Sequence, residues 1–489
     1  MNKTKNWLHG RVNVKFSFIN ASPNEGIDER EGRKSIASFP PLGILYLATI
    51  LAEADVEVSV LDQPAAGFTV KQTLRWVQTE NPDVVGFSAL ASSGRMAALL
   101  SQKVKELNPN IVTVLGNHYA TFNAERILGK YPSVDIVVRG EAEETIVELA
   151  HCIMKGKELK EIKGLTFRKN GEITATPDQP LVKDLNTLPF PERRLLNVDY
   201  HSLMAGATIA PKKFTGVISS RGCAYGCRFC SCSEFAHNVW RARSAENTLK
   251  ELQLLASEGY KQLVFVDDSF TLNPKRVIEI CRGMRKEKMD MEWICEGRVD
   301  DCSYEMLREM VKAGLRVLYF GIENANQRIL DYYNKRTTPE QAEKAVRTAR
   351  KAGVDVIVGS FIIGAPDETR SEIQNTIDFA KRVPLDIPQF NILGAHPGND
   401  IWNEMVAKRL LNVEEYWETG IAVSAIAPTA VPLDEIRRML NKAFFSHIAR
   451  PEFIIRQLAK TLKSSYRMNV MLSNLSRLGE INEDLHSVA

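Results

Sequence analysis

Residues 218–235 read ISSRGCAYGCRFCSCSEF, directly after an apolar strand run at Phe214–Ser219. Three of the cysteines, Cys223, Cys227 and Cys230, stand in a C-x3-C-x2-C spacing. Thiolates are the soft ligands that iron–sulfur clusters require, and Gly222 and Gly226 let a short loop fold around a bulky inorganic core. Three thiolates leave one iron of a four-iron cluster open, whereas a fourth would close it into an electron-transfer centre. A tetrahedral zinc site would recruit Cys232, but zinc sites usually show two separated C-x2-C pairs or interspersed histidines, and neither is present. Cys232 therefore reads as a thiol outside the ligand set.

Downstream of that loop, strand runs recur at Gln262–Val266, Glu292–Cys295, Val317–Ile322, Val356–Ile363 and Pro388–Leu393. Helical segments such as Ala245–Glu258, Ser303–Ala313 and Pro339–Ala352 separate them. Six strand–helix units in residues 211–400 predict a partial (β/α)6 barrel of TIM type, with its chemistry at the strands' carboxyl ends. Upstream, residues 12–155 alternate strand runs at Val12–Asn20, Glu57–Asp62, Val84–Ser88, Ile111–Gly116 and Ile136–Arg139 with amphipathic stretches. That pattern predicts an α/β, Rossmann-like doubly wound sheet whose ligand crevice lies beyond the strand carboxyl ends. Small residues gather there, in Ser88–Gly94 and at Gly116-Asn117. Residues 156–210 read as a linker with a small hairpin around Asn170-Gly171, and residues 401–489 as a helical region.

At 489 residues the chain is too long for one ordinary core, and 44% apolar with 25% charged residues is globular composition. A net charge of +3 gives no strong pull towards nucleic acid. No apolar run approaches the ~18–20 residues needed to span a bilayer, and the first residues lack a signal-peptide core, so a cytoplasmic protein is expected. Four of the eight cysteines fall within residues 223–232, which in that compartment reads as metal ligation rather than disulfides. None falls within residues 1–151.

With the aromatic Phe229 before the last ligand, the loop resembles the C-x3-C-x-φ-C pattern of the radical S-adenosylmethionine superfamily. The segments Phe39–Leu51, Gly86–Leu90, Leu115–Thr121 and Val137–Thr145 resemble the cobalamin-binding domains that precede many such barrels. The likeness covers roughly residues 12–400. It implies a [4Fe–4S] cluster on Cys223, Cys227 and Cys230, whose open iron binds the amino and carboxylate groups of S-adenosylmethionine. Reductive cleavage then yields a 5′-deoxyadenosyl radical. Asp267 and Asp268 match the position that receives the methionine amino group. Arg298 would pair with its carboxylate, Glu323 with the ribose hydroxyls, and Gly364 would permit close backbone approach to the adenine in a loop stiffened by Pro366. In the first domain Ser88, Gly116, His118 and Glu141 are the candidate cobalamin contacts, although His118 reads first as a loop-packing residue hydrogen-bonded to backbone. The motif D-x-H-x-x-G, by which some relatives ligate cobalt with histidine, is not matched: Asp199-Tyr200-His201 ends in Met204.

The resemblance implies a cobalamin-linked enzyme that modifies an unactivated carbon by methylation, C–C bond formation or ring formation. In residues 442–458, KAFFSHIARPEFIIRQL, the side chains Phe444, Phe445, Ile448, Phe453 and Ile454 would wall an apolar channel. The expected substrate is thus an apolar small molecule, an isoprenoid or other membrane lipid, with peripheral membrane contact through it. An electron donor such as ferredoxin or flavodoxin is implied, and no nucleic acid. Three alternatives stand beside this reading. A tetrapyrrole oxidative cyclase-like enzyme shares the motifs. A transfer-RNA methylthiotransferase would need amino-terminal cysteines, which are missing. A non-catalytic corrinoid or redox sensor would not need barrel-mouth motifs.

Overall fold

The computed structural model describes residues 14–23, 40–169, 171–200, 202–204, 207–414, 416 and 429–475. Phe39, Asn170 and His201, which the sequence reading used, lie outside them. The chain forms two compact units. One comprises Met1–Asp199, Cys230–Arg241 and Ala395–Val423; the other comprises Tyr200–Phe229, Ala242–Gly394 and Ser424–Ala489.

The first unit is built on a seven-stranded sheet of β1 (Lys15–Asn20), β2 (Glu57–Asp62), β3 (Val84–Ser88), β4 (Val112–Gly116), β5 (Ile136–Val138), β6 (Leu165–Lys169) and β7 (Glu172–Ala175). Their spatial order is β2-β1-β3-β4-β5-β6-β7. The first five pair in parallel, and the β6–β7 hairpin adds two antiparallel strands at the β5 edge. β3, VVGFS, is buried at every residue, as a strand covered on both faces must be. The order reverses between β1 and β3, so the crevice opens beyond Asn20 and Ser88, which lie opposite each other in register. The helix Val70–Glu80 begins with a capping box between Thr69 and Gln72.

The second unit holds six parallel strands in sequential order: β8 (Phe214–Val217), β9 (Gln262–Phe265), β10 (Glu292–Arg298), β11 (Leu315–Glu323), β12 (Val356–Ile363) and β13 (Ile387–Ile392). Successive side chains alternate faces. Trp293, Cys295, Leu318 and Phe320 enter the main core with helix residues such as Ile280, Met306 and Val346. On the opposite face Ile294, Val317 and Val358 pack with Ile209 and Tyr466, and the Tyr466 hydroxyl donates to Ile209 O at 2.8 Å. That apolar layer closes the inside of the half-barrel near the strands' amino ends.

The helices Leu433–Ile448 and Pro451–Thr461 meet at His447, which is 1% exposed and lies edge-on to Phe453 at 4.9 Å. Burial, then Arg450, Arg456 and Lys381, push its imidazole from 6.5 down to about 4, against a smaller opposing pull from Asp386. The unfolded chain therefore takes up a proton before the folded one does, and stability falls as pH drops from about 6.5 towards about 4. The thermal midpoint of the wild type should decline across that window, and His447→Gln should flatten the decline. An unchanged slope in the variant would contradict this role.

Candidate active site

The cysteine loop leaves β8 and is tied down at both edges. Ser219 N donates to Asp267 Oδ1 at 2.7 Å, and the Ser219 and Ser220 hydroxyls each donate to Asp267 Oδ2 at 2.6 Å. Asp268 Oδ2 accepts from Gly222 N at 2.8 Å. Gly222 and Gly226 take φ of +83° and +63°, left-handed conformations that glycine adopts without strain. At the far edge Asn334 Nδ2 donates to Gly226 O at 2.8 Å and Arg228 N donates to Tyr333 O at 3.0 Å. Phe229 packs edge-on against Tyr333 at 5.3 Å. Cys227 is buried, and Cys223 and Cys230 are half-buried.

The sequence reading expects Asp267 and Asp268 as ligand contacts; the structure turns Asp267 wholly to the loop, whereas Asp268 gives it one carboxylate oxygen. Asp267 is 3% exposed and already accepts three hydrogen bonds. Burial pushes its carboxyl up, opposed by Arg276 and by the two serines. Neighbouring strand ends carry a second network. Arg298 donates through Nε and Nη2 to Asp300 at 3.0 Å each, donates to Lys335 O at 2.9 Å, and lies 3.5 Å over the Tyr225 ring. The Tyr225 hydroxyl donates to Asp301 at 2.9 Å.

Lys335 Nζ in turn donates to Glu323 Oε1 at 2.7 Å, with both side chains buried. Glu323 holds φ +67° where the β11–β12 register shifts, a strained conformation of the kind found at functional sites. A Cβ on Gly321 would stand 2.6 Å from Glu323 Oε1 and 2.9 Å from Lys335 Nζ, so glycine there leaves room for the pair. At the next strand end Gly364 turns at φ +93°, its N–H donating to Glu368 at 2.5 Å, and Asn324 Nδ2 donates to the same carboxylate at 2.8 Å. Pro366 lies within this turn.

Asp267, Asp268, Arg298, Glu323, Gly364 and Pro366 thus stand at the carboxyl ends of successive barrel strands. Lys335, Tyr225 and Glu296 join them without having been read from sequence, and Glu368, read as opening the next helix, instead accepts from the Gly364 turn. Of those three only Glu296 had a local signal: it follows Ile294 by two residues and precedes Arg298 by two. The strand run read as Glu292–Cys295 stopped one residue short of it, whereas β10 continues to Arg298.

In the first unit, Ser88 and Gly116 end neighbouring strands in register, and Asn117 Nδ2 donates to Ser88 Oγ at 3.0 Å. A Cβ on Gly116 would meet only Val138 O, at 3.9 Å, so the backbone there is open to close approach. His118 Nδ1 lies 2.8 Å from Asn117 Oδ1, and its ring stacks on Phe235 at 4.0 Å. Glu141 is engaged: it accepts two bonds from Arg241, both at 2.8 Å, and one from Val182 N at 2.8 Å.

Among the described residues no three His, Cys, Asp or Glu side chains are gathered to hold a single metal ion. The ligands of an iron–sulfur cubane stand farther apart than those of one ion, so the donor set is the relevant test. Three thiolates on one loop, with no histidine or carboxylate interposed between them, suit a cluster. The open backbone at Gly116, at the end of a doubly wound sheet, likewise suits a large planar cofactor.

A soft-ligand loop on the first strand of a parallel half-barrel, preceded by a doubly wound sheet, defines a metallocofactor-dependent enzyme. The family model for the radical SAM superfamily matches residues 217–380, and that for the B12 binding domain matches residues 34–150. An "uncharacterized methyltransferase" of Pyrococcus horikoshii is 36% identical over 421 residues, which is 86% of this chain and 90% of the relative. The anaerobic magnesium-protoporphyrin IX monomethyl ester cyclase of Rubrivivax gelatinosus is 27% identical over 491 residues, 95% of this chain and 85% of the relative. Among solved structures, the radical S-adenosylmethionine methyltransferase TsrM of Kitasatospora setae, with cobalamin and [4Fe-4S] cluster bound, shares the fold. Its TM-score is 0.65 at 17% identity, over 81% of this chain and 75% of that one.

The chain belongs to the radical SAM superfamily, in the class with an amino-terminal cobalamin-binding domain. It is an S-adenosylmethionine-cleaving enzyme whose cofactors are a [4Fe–4S] cluster, S-adenosylmethionine and cobalamin. A small-molecule substrate and an external electron donor fit that class. Among the described residues no helix is long and apolar enough to cross a membrane.

Proposed function

We propose that the protein methylates an unactivated carbon of a small, largely apolar molecule, an isoprenoid or other lipid. The observation that carries this reading is the three-thiolate loop, braced by Asp268, in a chain that also contains a cobalamin-binding sheet. The name of the 36%-identical methyltransferase supports the reaction type. Cobalamin supplies the methyl carrier, and the cluster with S-adenosylmethionine supplies the radical.

On this reading Cys223, Cys227 and Cys230 hold the cluster, and Asp267 and Asp268 act through the loop they brace. Arg298, Glu323 and the Gly364–Pro366 turn surround S-adenosylmethionine. Ser88, Gly116 and His118 lie along the corrin, while Glu141 fixes the segment around Arg241. The apolar substrate class is supported by the carboxyl-terminal helices, where Phe445, Ile454, Ile455 and Leu458 are all exposed. Such a face also suits peripheral contact with the lipid that carries the substrate. A ferredoxin or flavodoxin supplies electrons.

The full-length likeness to a ring-forming cyclase favours one second reading, oxidative ring formation. Product analysis separates the two. The anaerobically reconstituted enzyme, with reductant, methylcobalamin and a lipid extract, should release S-adenosylhomocysteine and 5′-deoxyadenosine together with a product one methyl heavier. 5′-Deoxyadenosine without S-adenosylhomocysteine, and a product lighter by hydrogen, would select ring formation instead.

A further inference from the structure

The inner face of the half-barrel is not apolar above its closing layer. Alternation along β10 sets Ile294, Glu296 and Arg298 on that face, opposite Trp293 and Cys295 in the main core. Glu296 lies in register with Tyr319 of β11, and Ser360 of β12 with Gln389 of β13. Along β13, Ile387 packs with the inner layer while Phe390 and Ile392 pack outward, so Gln389 and Asn391 face inward. Glu296, on a strand flanked on both sides, opens on the lumen within the concavity, whereas Gln389 and Asn391 are exposed on the edge strand β13. Asn391 Nδ2 donates to Ser360 Oγ at 3.2 Å. The Glu296 carboxylate, the Tyr319 hydroxyl and the Gln389 amide have no hydrogen-bonding partner among the described residues.

The charges around Glu296 do not balance. Its neighbours in the field are Glu323, Asp268 and Lys335. Lys335, the cation of that set, is already committed to Glu323 at 2.7 Å. Burial, then Glu323 and Asp268, push the Glu296 carboxyl up, opposed by Lys335. A carboxylate facing other carboxylates in a concave, partly desolvated site gains most from a cation that also donates hydrogen bonds.

We infer that Glu296, with the Tyr319 hydroxyl beside it, is a specificity-determining anchor for a substrate that carries an ammonium group on its apolar skeleton. This rests on the reading above that the barrel receives a small-molecule substrate. The ammonium would donate to Glu296 and to the neighbouring Tyr319 hydroxyl oxygen, holding the reacting carbon in place by an end that takes no part in bond making. S-Adenosylmethionine is itself cationic, so it is the competing occupant.

Calorimetry tests the anchor with simple probes: n-hexylammonium, n-hexanol and n-hexanoate, added to cluster-loaded enzyme saturated with S-adenosylmethionine. n-Hexylammonium should bind at least about ten-fold more tightly than n-hexanol, and E296Q should remove about that factor, the scale expected for losing one partner of a charged pair. Glu296→Asp should restore part of it. Equal binding of the three probes, or unchanged n-hexylammonium binding in E296Q, would overturn the proposal. So would loss of n-hexylammonium binding once S-adenosylmethionine saturates, because Glu296 would then serve the cofactor. Should E296Q not fold, Tyr319→Phe gives the same readout. The binding measurement requires no turnover, so failure of the methylation reading shows separately, in the wild-type products.

Discussion

Alanine at Cys223, Cys227 and Cys230 together is expected to give a folded protein that cannot retain cluster iron and cleaves S-adenosylmethionine only at background, while Cys232→Ala keeps its iron. The loss should be near complete because cluster ligation depends on the thiolates themselves, and no histidine or carboxylate interrupts their loop to substitute. The fold should survive because the loop is anchored by other groups. Asp267 and Asp268 hold its start, and Asn334 and the Tyr333 carbonyl hold its middle. Iron and sulfide per chain and the visible absorption of the reconstituted protein report the outcome. Stoichiometric cluster in the triple variant, or its loss in Cys232→Ala, would contradict the ligand assignment.

Asp386→Ala is expected to cost about 3–5 kcal/mol of stability, the scale for removing one partner of a buried charged network. Asp386 is 5% exposed and accepts from Ile357 N at 2.8 Å, Gln457 Nε2 at 2.9 Å and Lys460 Nζ at 2.8 Å. It also pairs with Arg350, and with Arg467 at 3.0 Å. Alanine would leave three cations facing one another and the Ile357 amide without its acceptor. The contacts run from β12 to the helices Pro451–Thr461 and Ser465–Leu475, so the carboxylate fastens the carboxyl-terminal helices to the barrel. Burial alone would raise its pKa, but Arg350, Arg467 and Lys460 outweigh it and hold it well below 3.8. The stabilisation is therefore complete above the unfolded value and is lost only as pH falls through the lower folded one. Denaturant unfolding near neutral pH measures the cost. A change under about 1 kcal/mol, the range of an exposed ion pair, would contradict the network's role.

The barrel and the doubly wound sheet were legible because periodicity is local. Short apolar runs between helical segments placed all six barrel strands, and the glycines and cysteines of residues 222–230 marked the loop. Side-chain partners were not legible, because they come from distant sequence. The Glu141–Arg241 pair spans 100 residues, and the Asp268 bond to Gly222 spans 46. Asp267 therefore reads as a ligand contact when seen alone, and becomes a brace once β8 and β9 lie side by side. The hairpin Leu165–Ala175 was visible as a hairpin, but its attachment to the edge of β5 was not. Glu296 was hidden for another reason: a charged residue in an apolar run looks like the end of a strand, whereas inside a barrel it is the feature that faces the lumen.

The central claim is that this chain generates a radical from S-adenosylmethionine at the three-thiolate loop. Incubating the anaerobically reconstituted wild type with S-adenosylmethionine and a low-potential reductant, and quantifying 5′-deoxyadenosine, tests it most directly. The account predicts 5′-deoxyadenosine with the wild type and none above background with the Cys223/Cys227/Cys230 triple variant. No 5′-deoxyadenosine from cluster-loaded wild type, with or without candidate lipids, or equal amounts from the two proteins, would contradict it.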